Sequence, residues 1–424
     1  MEDDAGPAEL SRRDLVARAG VAAAAVALGH PVVAEAAPDL RRWSGVRAQF
    51  ALDPRRIHLA SFLLAAHPRP VRDAIERHRR GLDRDAVTYL HANEGRLTDE
   101  ARTAAGRFLD VPGDEIALTD STTMGLGLLY ARLALKPDEE VLTTEHDFYA
   151  THEALRLSGA RVRRVRLYDD PRRASTDDIL TRLRRAVSGR TRIVALTWVH
   201  SSTGVKLPIR AIADGLPDRV LLCVDGVHGF GSQAASAGEL RCDAFASGCH
   251  KWLYGPRGTG VLWASQRVRE LVRPTIPSFD DGASYGAWLS GSTPSGIPDG
   301  ARLTPGGFHS FEHRWALAEA FRFHDAVGRR RVEARIRTLV ARLQAGLSEI
   351  RGVRLRTPAS GALSAGLVCF EVDGVDPAAV VQRLASRRIV ASVTPYAQRY
   401  VRLGPGIVNT PADVDAAVRA VAAL

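Results

Sequence analysis

At 424 residues and 45% hydrophobic content the chain can bury a large core, and usual domain sizes make that one large and one smaller domain. A net charge of +10 and a pI near 9.9 invite a nucleic-acid partner. However, the arginines are spread along the chain and no basic run is interleaved with aromatics, so the charge balance argues against nucleic acid.

Residues 1–36 read as a targeting segment. Ser11-Arg12-Arg13-Asp14-Leu15-Val16 resembles a twin-arginine export signal, an apolar stretch from Val21 to Leu28 follows, and Ala34-Glu35-Ala36 offers a small-residue cleavage site. The apolar run is too short to span a bilayer, so no membrane anchoring is expected. The expectation is a chain that folds in the cytoplasm, engages the twin-arginine export machinery and reaches the periplasm or exterior with a mature start near Ala37. A disordered alanine-rich tail is the bland alternative.

Residues 56–62 begin as a short extended piece, and Pro68-Arg69-Pro70-Val71 opens a helix with proline near its first turn. Between 100 and 220 the pattern alternates. Residues 115–119, 140–144 and 192–198 read as strands, and 176–187 is the clearest helix by apolar spacing. Alternation of this kind predicts a mainly parallel sheet covered by helices. Three more strands follow at 221–224, 243–247 and 258–263. Residues 277–308 are rich in Gly, Ser and Pro and read as a long loop. Helices at 309–328 and 329–350, strands near 352–356, 366–372 and 388–393, the segment 400–404 and a helix from Pro411 make a small α/β unit. The expected division is therefore 1–36 signal, 37–308 large domain with its amino-terminal arm, and 309–424 small domain. The four cysteines, Cys223, Cys242, Cys249 and Cys369, include no CxxC spacing, so neither a zinc site nor a disulfide framework is expected.

The chemistry concentrates between 221 and 264. Asp225 ends an apolar strand, where open α/β sheets place ligands, and Lys251 lies 26 residues on in Ser-Gly-Cys-His-Lys-Trp. Of 58 lysines and arginines only Lys136, Lys206 and Lys251 are lysine. Arginine keeps its proton and cannot form a Schiff base, so a lysine retained in a glycine-rich, aromatic turn is a candidate for imine chemistry. Residues 120–127, Asp-Ser-Thr-Thr-Met-Gly-Leu-Gly, follow a strand and open a helix, which suits an anion as well as an ordinary cap.

These strings resemble the lysine region of the class V aminotransferase family, fold-type I enzymes using pyridoxal 5'-phosphate. They look closest to the branch holding isopenicillin N epimerase and an exported pyoverdine-maturation enzyme. The resemblance runs over roughly residues 55 to 424 and implies Lys251 as the Schiff-base amine and proton carrier, with Asp225 on the pyridine nitrogen. It further implies Thr122 and Thr123 on the phosphate, with Ser247 and His250 completing the cradle, although Cys249 interrupts the usual Ser-Gly-His-Lys. His146 would stack on the ring, with Phe148 as the nearby alternative. Ser201 would sit near the ring oxygen, and His228 would tune the imine or carry protons, or else serve its own turn. Thr304 resembles the threonine that reaches the phosphate of a neighbouring subunit, which implies a homodimer with a shared active site. Arg402 would clamp a substrate α-carboxylate. His200, His309 and His313 read as structural or surface residues.

Residues 389–400 lack the mobile-loop cysteine of desulfurases. The expected activity is transamination, or a related deaminating conversion, of an amino acid or of an amino group on a secondary-metabolite or peptide-derived substrate. Epimerisation and C–S or β-elimination are the alternatives, and a non-catalytic amine-binding protein is the alternative of another class.

Overall fold

A computed structural model of the chain describes residues 39–424, so the expected export segment lies outside the described residues. Among the described residues thirteen strands form three sheets: β1 (Ile57–His58), β2 (Ile116–Thr119), β3 (Glu140–Thr144), β4 (Arg161–Val165), β5 (Thr191–Thr197), β6 (Leu221–Asp225), β7 (Ala244–Gly248), β8 (Gly260–Ala264), β9 (Val353–Leu355), β10 (Val368–Val372), β11 (Ile389–Val390), β12 (Ser392–Val393) and β13 (Val401–Leu403).

The large sheet runs β2-β8-β7-β6-β5-β3-β4. All its neighbours are parallel except that β8 runs against both β2 and β7. The expected mainly parallel α/β architecture is therefore present. Every residue of β6, β7 and β8 is buried, as their unbroken apolar sequences demand once helices cover both faces. β4 is a strand the sequence reading passed over. Three of its five residues are arginine, and it forms the sheet's outer edge, where charge blocks unwanted pairing.

The four-stranded sheet β12-β13-β10-β9 is antiparallel. The expected strand at 388–393 divides: β12 joins this sheet, while β11 pairs in parallel with β1 and ties the amino-terminal arm to it. The helix Phe311–Val327, assigned to the smaller domain in sequence, packs against the helices Arg69–Arg84 and Ala86–Leu109. The presumed loop 277–308 carries two short helices, Gly282–Leu289 and Gly300–Leu303. Asp281 accepts from Ser284 N at 3.1 Å and Asp299 from Arg302 N at 2.8 Å, so each carboxylate caps a turn that the Gly/Ser/Pro composition hid. All four cysteines are buried and unbridged.

Candidate active site

Asp225 closes β6, level with Thr197 on β5 and Ala246 on β7. Its carboxylate is 3% exposed and its Oδ1 accepts from Val227 N at 3.0 Å. Burial pushes its pKa up to about 7; the Val227 amide, then Lys251, pull against this, and a second carboxylate, Asp147, adds to it. The turn beyond it requires glycine, because a Cβ at Gly226 would run into the Phe245 ring. Lys251 follows β7, and burial brings its amine down to about 8, with Asp225 opposing and Arg402 assisting. An amine that loses its proton near neutrality is a usable nucleophile. His228, 2% exposed, is held neutral by burial and by the nearby cations Lys251 and Arg402, and its Nδ1 has no partner.

On the lysine side, Gly248 N donates to Thr122 Oγ1 at 2.7 Å, joining β7 to the first turn of the helix Thr122–Tyr130. Ser121 caps the Met124 amide at 3.1 Å, so the amides of Thr122 and Thr123 are left for an anion. Thr123 is exposed and His250 half-buried, whereas Ser247 is buried and donates to Gly248 O at 3.2 Å. Thr304 lies elsewhere. It is wholly buried, donates to Gly300 O at 2.8 Å, and accepts from Leu118 N at 3.1 Å and Arg102 Nη2 at 3.2 Å. Its hydroxyl is thus spent inside the chain. Phe308 and His309 instead border a cavity of about 220 Å³ with Thr119, Asp120 and Thr259.

His146 lies parallel to Tyr168, with ring centroids 3.8 Å apart, and its Nε2 accepts from Leu167 N at 3.2 Å. Burial pushes it down to about 3, so it is a neutral flat ring with one face already covered. Behind it runs a network absent from the sequence reading. Tyr168 OH lies 2.8 Å from His200 Nδ1 and 3.0 Å from Thr203 Oγ1, and His200 Nε2 is 3.9 Å from Asp147. Asp147 accepts from Thr143 Oγ1, Thr144 N and Thr144 Oγ1, and from Thr197 N at 2.7 Å.

Arg402, on β13, is 3% exposed and is held by neutral acceptors only: Ser392 Oγ at 3.1 Å, Ser201 O at 3.2 Å and Val393 O at 3.3 Å. Among the described residues no carboxylate comes within 4.0 Å of it. A buried guanidinium without a counter-charge is costly unless an anion completes it. Its plane sits 5.0 Å from the Phe62 ring, which also packs on His228 and Trp252. Ser201 Oγ meets Tyr396 OH at 2.7 Å. Tyr396 lies in the loop that lacks the desulfurase cysteine; burial raises its phenol, and Asp225 and Arg402 both act on it. Phe148 packs edge-on against Tyr396 at 5.7 Å.

These groups fit pyridoxal phosphate on three observations: a buried, nearly neutral carboxylate, a low-pKa lysine and an unpartnered His228 Nδ1. Leaving such an atom unpaired costs about 1–3 kcal/mol, which a bound polar ring recovers. Among the described residues no cluster suited to a metal occurs.

The model of one protein family, aminotransferase class V, matches residues 65–416. The chain is 28% identical over 360 residues to the isopenicillin N epimerase of Amycolatopsis lactamdurans, covering 81% of this chain and 88% of that protein. A probable cysteine desulfurase of Vibrio cholerae is 24% identical over 392 residues, covering 86% and 92%. A solved cystine C–S lyase, in complex with cysteine persulfide, superposes with a TM-score of 0.77 at 21% identity over 87% of this chain and 98% of its own.

Proposed function

The chain belongs to the class V aminotransferase family, and on that premise we propose that it removes the amino group of an amino acid or a peptide-derived amino compound, by transamination or a related deaminating conversion. Its cofactor, pyridoxal phosphate, supplies an electron-withdrawing ring that acidifies the hydrogen α to the amine. Asp225 would hold the ring nitrogen and favour its protonated form, while Lys251 would carry the cofactor and move the proton at the substrate α-carbon. Thr122, Thr123, Ser247 and His250 would hold the phosphate, and His146, Ser201 and His228 would border the ring. The observation that carries the substrate class is Arg402, a buried cation with no carboxylate within 4.0 Å among the described residues, suited to an α-carboxylate.

Persulfide chemistry of the desulfurase kind is disfavoured, because residues 389–400 hold no cysteine. Epimerisation is the second reading. It is favoured by Tyr396, a proton-bearing phenol beside Ser201, and by the likeness to isopenicillin N epimerase. Cofactor-loaded protein mixed with α-amino acids in deuterated water tests the choice. Keto-acid release is the expected result, deuterium gain at the α-carbon without loss of amine would establish epimerisation, and an unchanged spectrum with every amine would leave only a binder.

We also propose a homodimer. Trp288 and Phe308 are 70% and 77% exposed, and Ile276, Phe279, Leu289 and Ile297 lie exposed in the same 276–308 segment. An apolar surface of this kind usually marks an interface. Sedimentation velocity should give twice the chain mass, and Trp288→Glu should shift it toward monomer; a monomeric wild-type protein at micromolar concentration would refute the dimer.

A further inference from the structure

A second concave space, open to solvent on one side, lies away from Lys251. The helix Arg329–Ser348 turns Glu333, Ile336, Arg337 and Val340 toward a cavity of about 260 Å³, closed on the other side by Gln233 and Ser364. This falls just under the roughly 300–1,000 Å³ of drug-sized ligand sites, which selects a small metabolite. Lys206 reaches its wall, donating from Nζ to Gln233 Oε1 at 2.9 Å. It is one of only three lysines in a chain that uses arginine almost everywhere else, and the proposed chemistry at Lys251 gives it no task.

The charges around this space are unbalanced and unmatched. Among the described residues neither Lys206 nor Arg337 has a carboxylate within 4.0 Å, and Glu333 accepts only from the Ala234 amide, at 3.2 Å. Arg337 and Glu333 both nevertheless act on Lys206: burial lowers its amine, Glu333 pulls it back up and Arg337 pushes it further down. Arg337 and Glu333 on the cavity wall, with Lys206 behind Gln233, match a zwitterion better than a simple anion, because each charged end of the ligand meets an opposite charge.

We propose that this cavity is a second ligand site that takes a free α-amino acid, its carboxylate toward Lys206 and Arg337, its ammonium toward Glu333, and an aliphatic side chain against Ile336 and Val340. The site adjoins both segments that serve the first. Gln233 N bonds Gly229 O at 2.8 Å in the turn that carries His228, and His200 N bonds Val205 O at 2.9 Å in the hairpin that carries Ser201 and Lys206.

Calorimetry on holoenzyme treated with borohydride, which closes Lys251 to amines, tests the site with L-alanine and with its two halves, acetate and ethylamine. Saturable alanine binding is expected, with each half binding far more weakly. Arg337→Ala and Glu333→Gln, at cavity-lining positions that solvent also reaches, should each weaken alanine binding about tenfold to a hundredfold with the melting temperature unchanged. No saturable binding, acetate binding equal to that of alanine, or alanine binding unmoved by both substitutions would each overturn the proposal. The borohydride tag at Lys251 is scored separately by peptide mapping, so failure of the second site and failure of the Lys251 assignment are told apart.

Discussion

Lys251→Ala should leave a folded protein that no longer fixes pyridoxal phosphate on borohydride reduction and that has lost at least about 10⁴-fold in turnover, since both an activated amine and a positioned proton carrier disappear. Its amine is the one brought down to about 8 beside Asp225 and Arg402. The assay is unusually clean, because tryptic mapping of reduced wild-type protein must assign the tag to one of three lysines. A tag on Lys206 or Lys136, or none in loaded protein, refutes the assigned role. Added small amines should restore part of the proton transfer in the variant but none of the covalent tag.

Asp225→Asn should act on stability and on catalysis with opposite dependence on the cofactor. An acid raised from 3.8 to about 7 stabilises the fold while protonated. That contribution is complete below the unfolded value and is lost as pH rises from about 4 through about 7, by an upper limit of ~4 kcal/mol. Cofactor-free wild-type protein therefore loses stability relative to Asp225→Asn across that window, and the difference between the two melting curves cancels the buried histidines they share. Lys251, lowered from 10.5, contributes with the reverse slope between about 8 and 10.5, so the windows do not overlap. When a protonated ring nitrogen faces Asp225 the charged form becomes the favoured one. The thermal shift on loading wild-type protein should then grow from pH 5 to pH 8 and stay flat for the asparagine variant, whose turnover should fall about 10²- to 10⁴-fold. Parallel melting curves for both cofactor-free proteins would refute the buried-acid account.

Much of this arrangement was legible in the sequence for a definite reason. Asp225 and Lys251 follow short apolar strands that adjoin in a parallel sheet, so strand ends bring them together without help from distant segments. The helix start at Thr122 is equally local, fixed by the Ser121 cap. What escaped depends on long-range packing. Tyr396 meets Ser201 across 195 positions, and Phe62 lies against Arg402 in a region where β1 pairs with β11 and Leu59 O accepts from Gly404 N. Nothing local in the sequence marks Asp147, and its four hydrogen bonds reveal a pinned carboxylate within reach of Asp225. Thr304 carried a familiar string, yet its hydroxyl is consumed by Gly300, Leu118 and Arg102.

The pairing of Ile57–His58 with Ile389–Val390 has a mechanical corollary. Leu59 O also accepts from Gly404 N at 2.7 Å, while Ala65 N grips His250 O at 2.9 Å, next to Lys251. The short span from 59 to 65 is therefore tied at one end to the residue after β13 and at the other to the neighbour of Lys251. A displacement of β13 would pull on Phe62, which lies against Arg402, and on His250 through the same few peptide units.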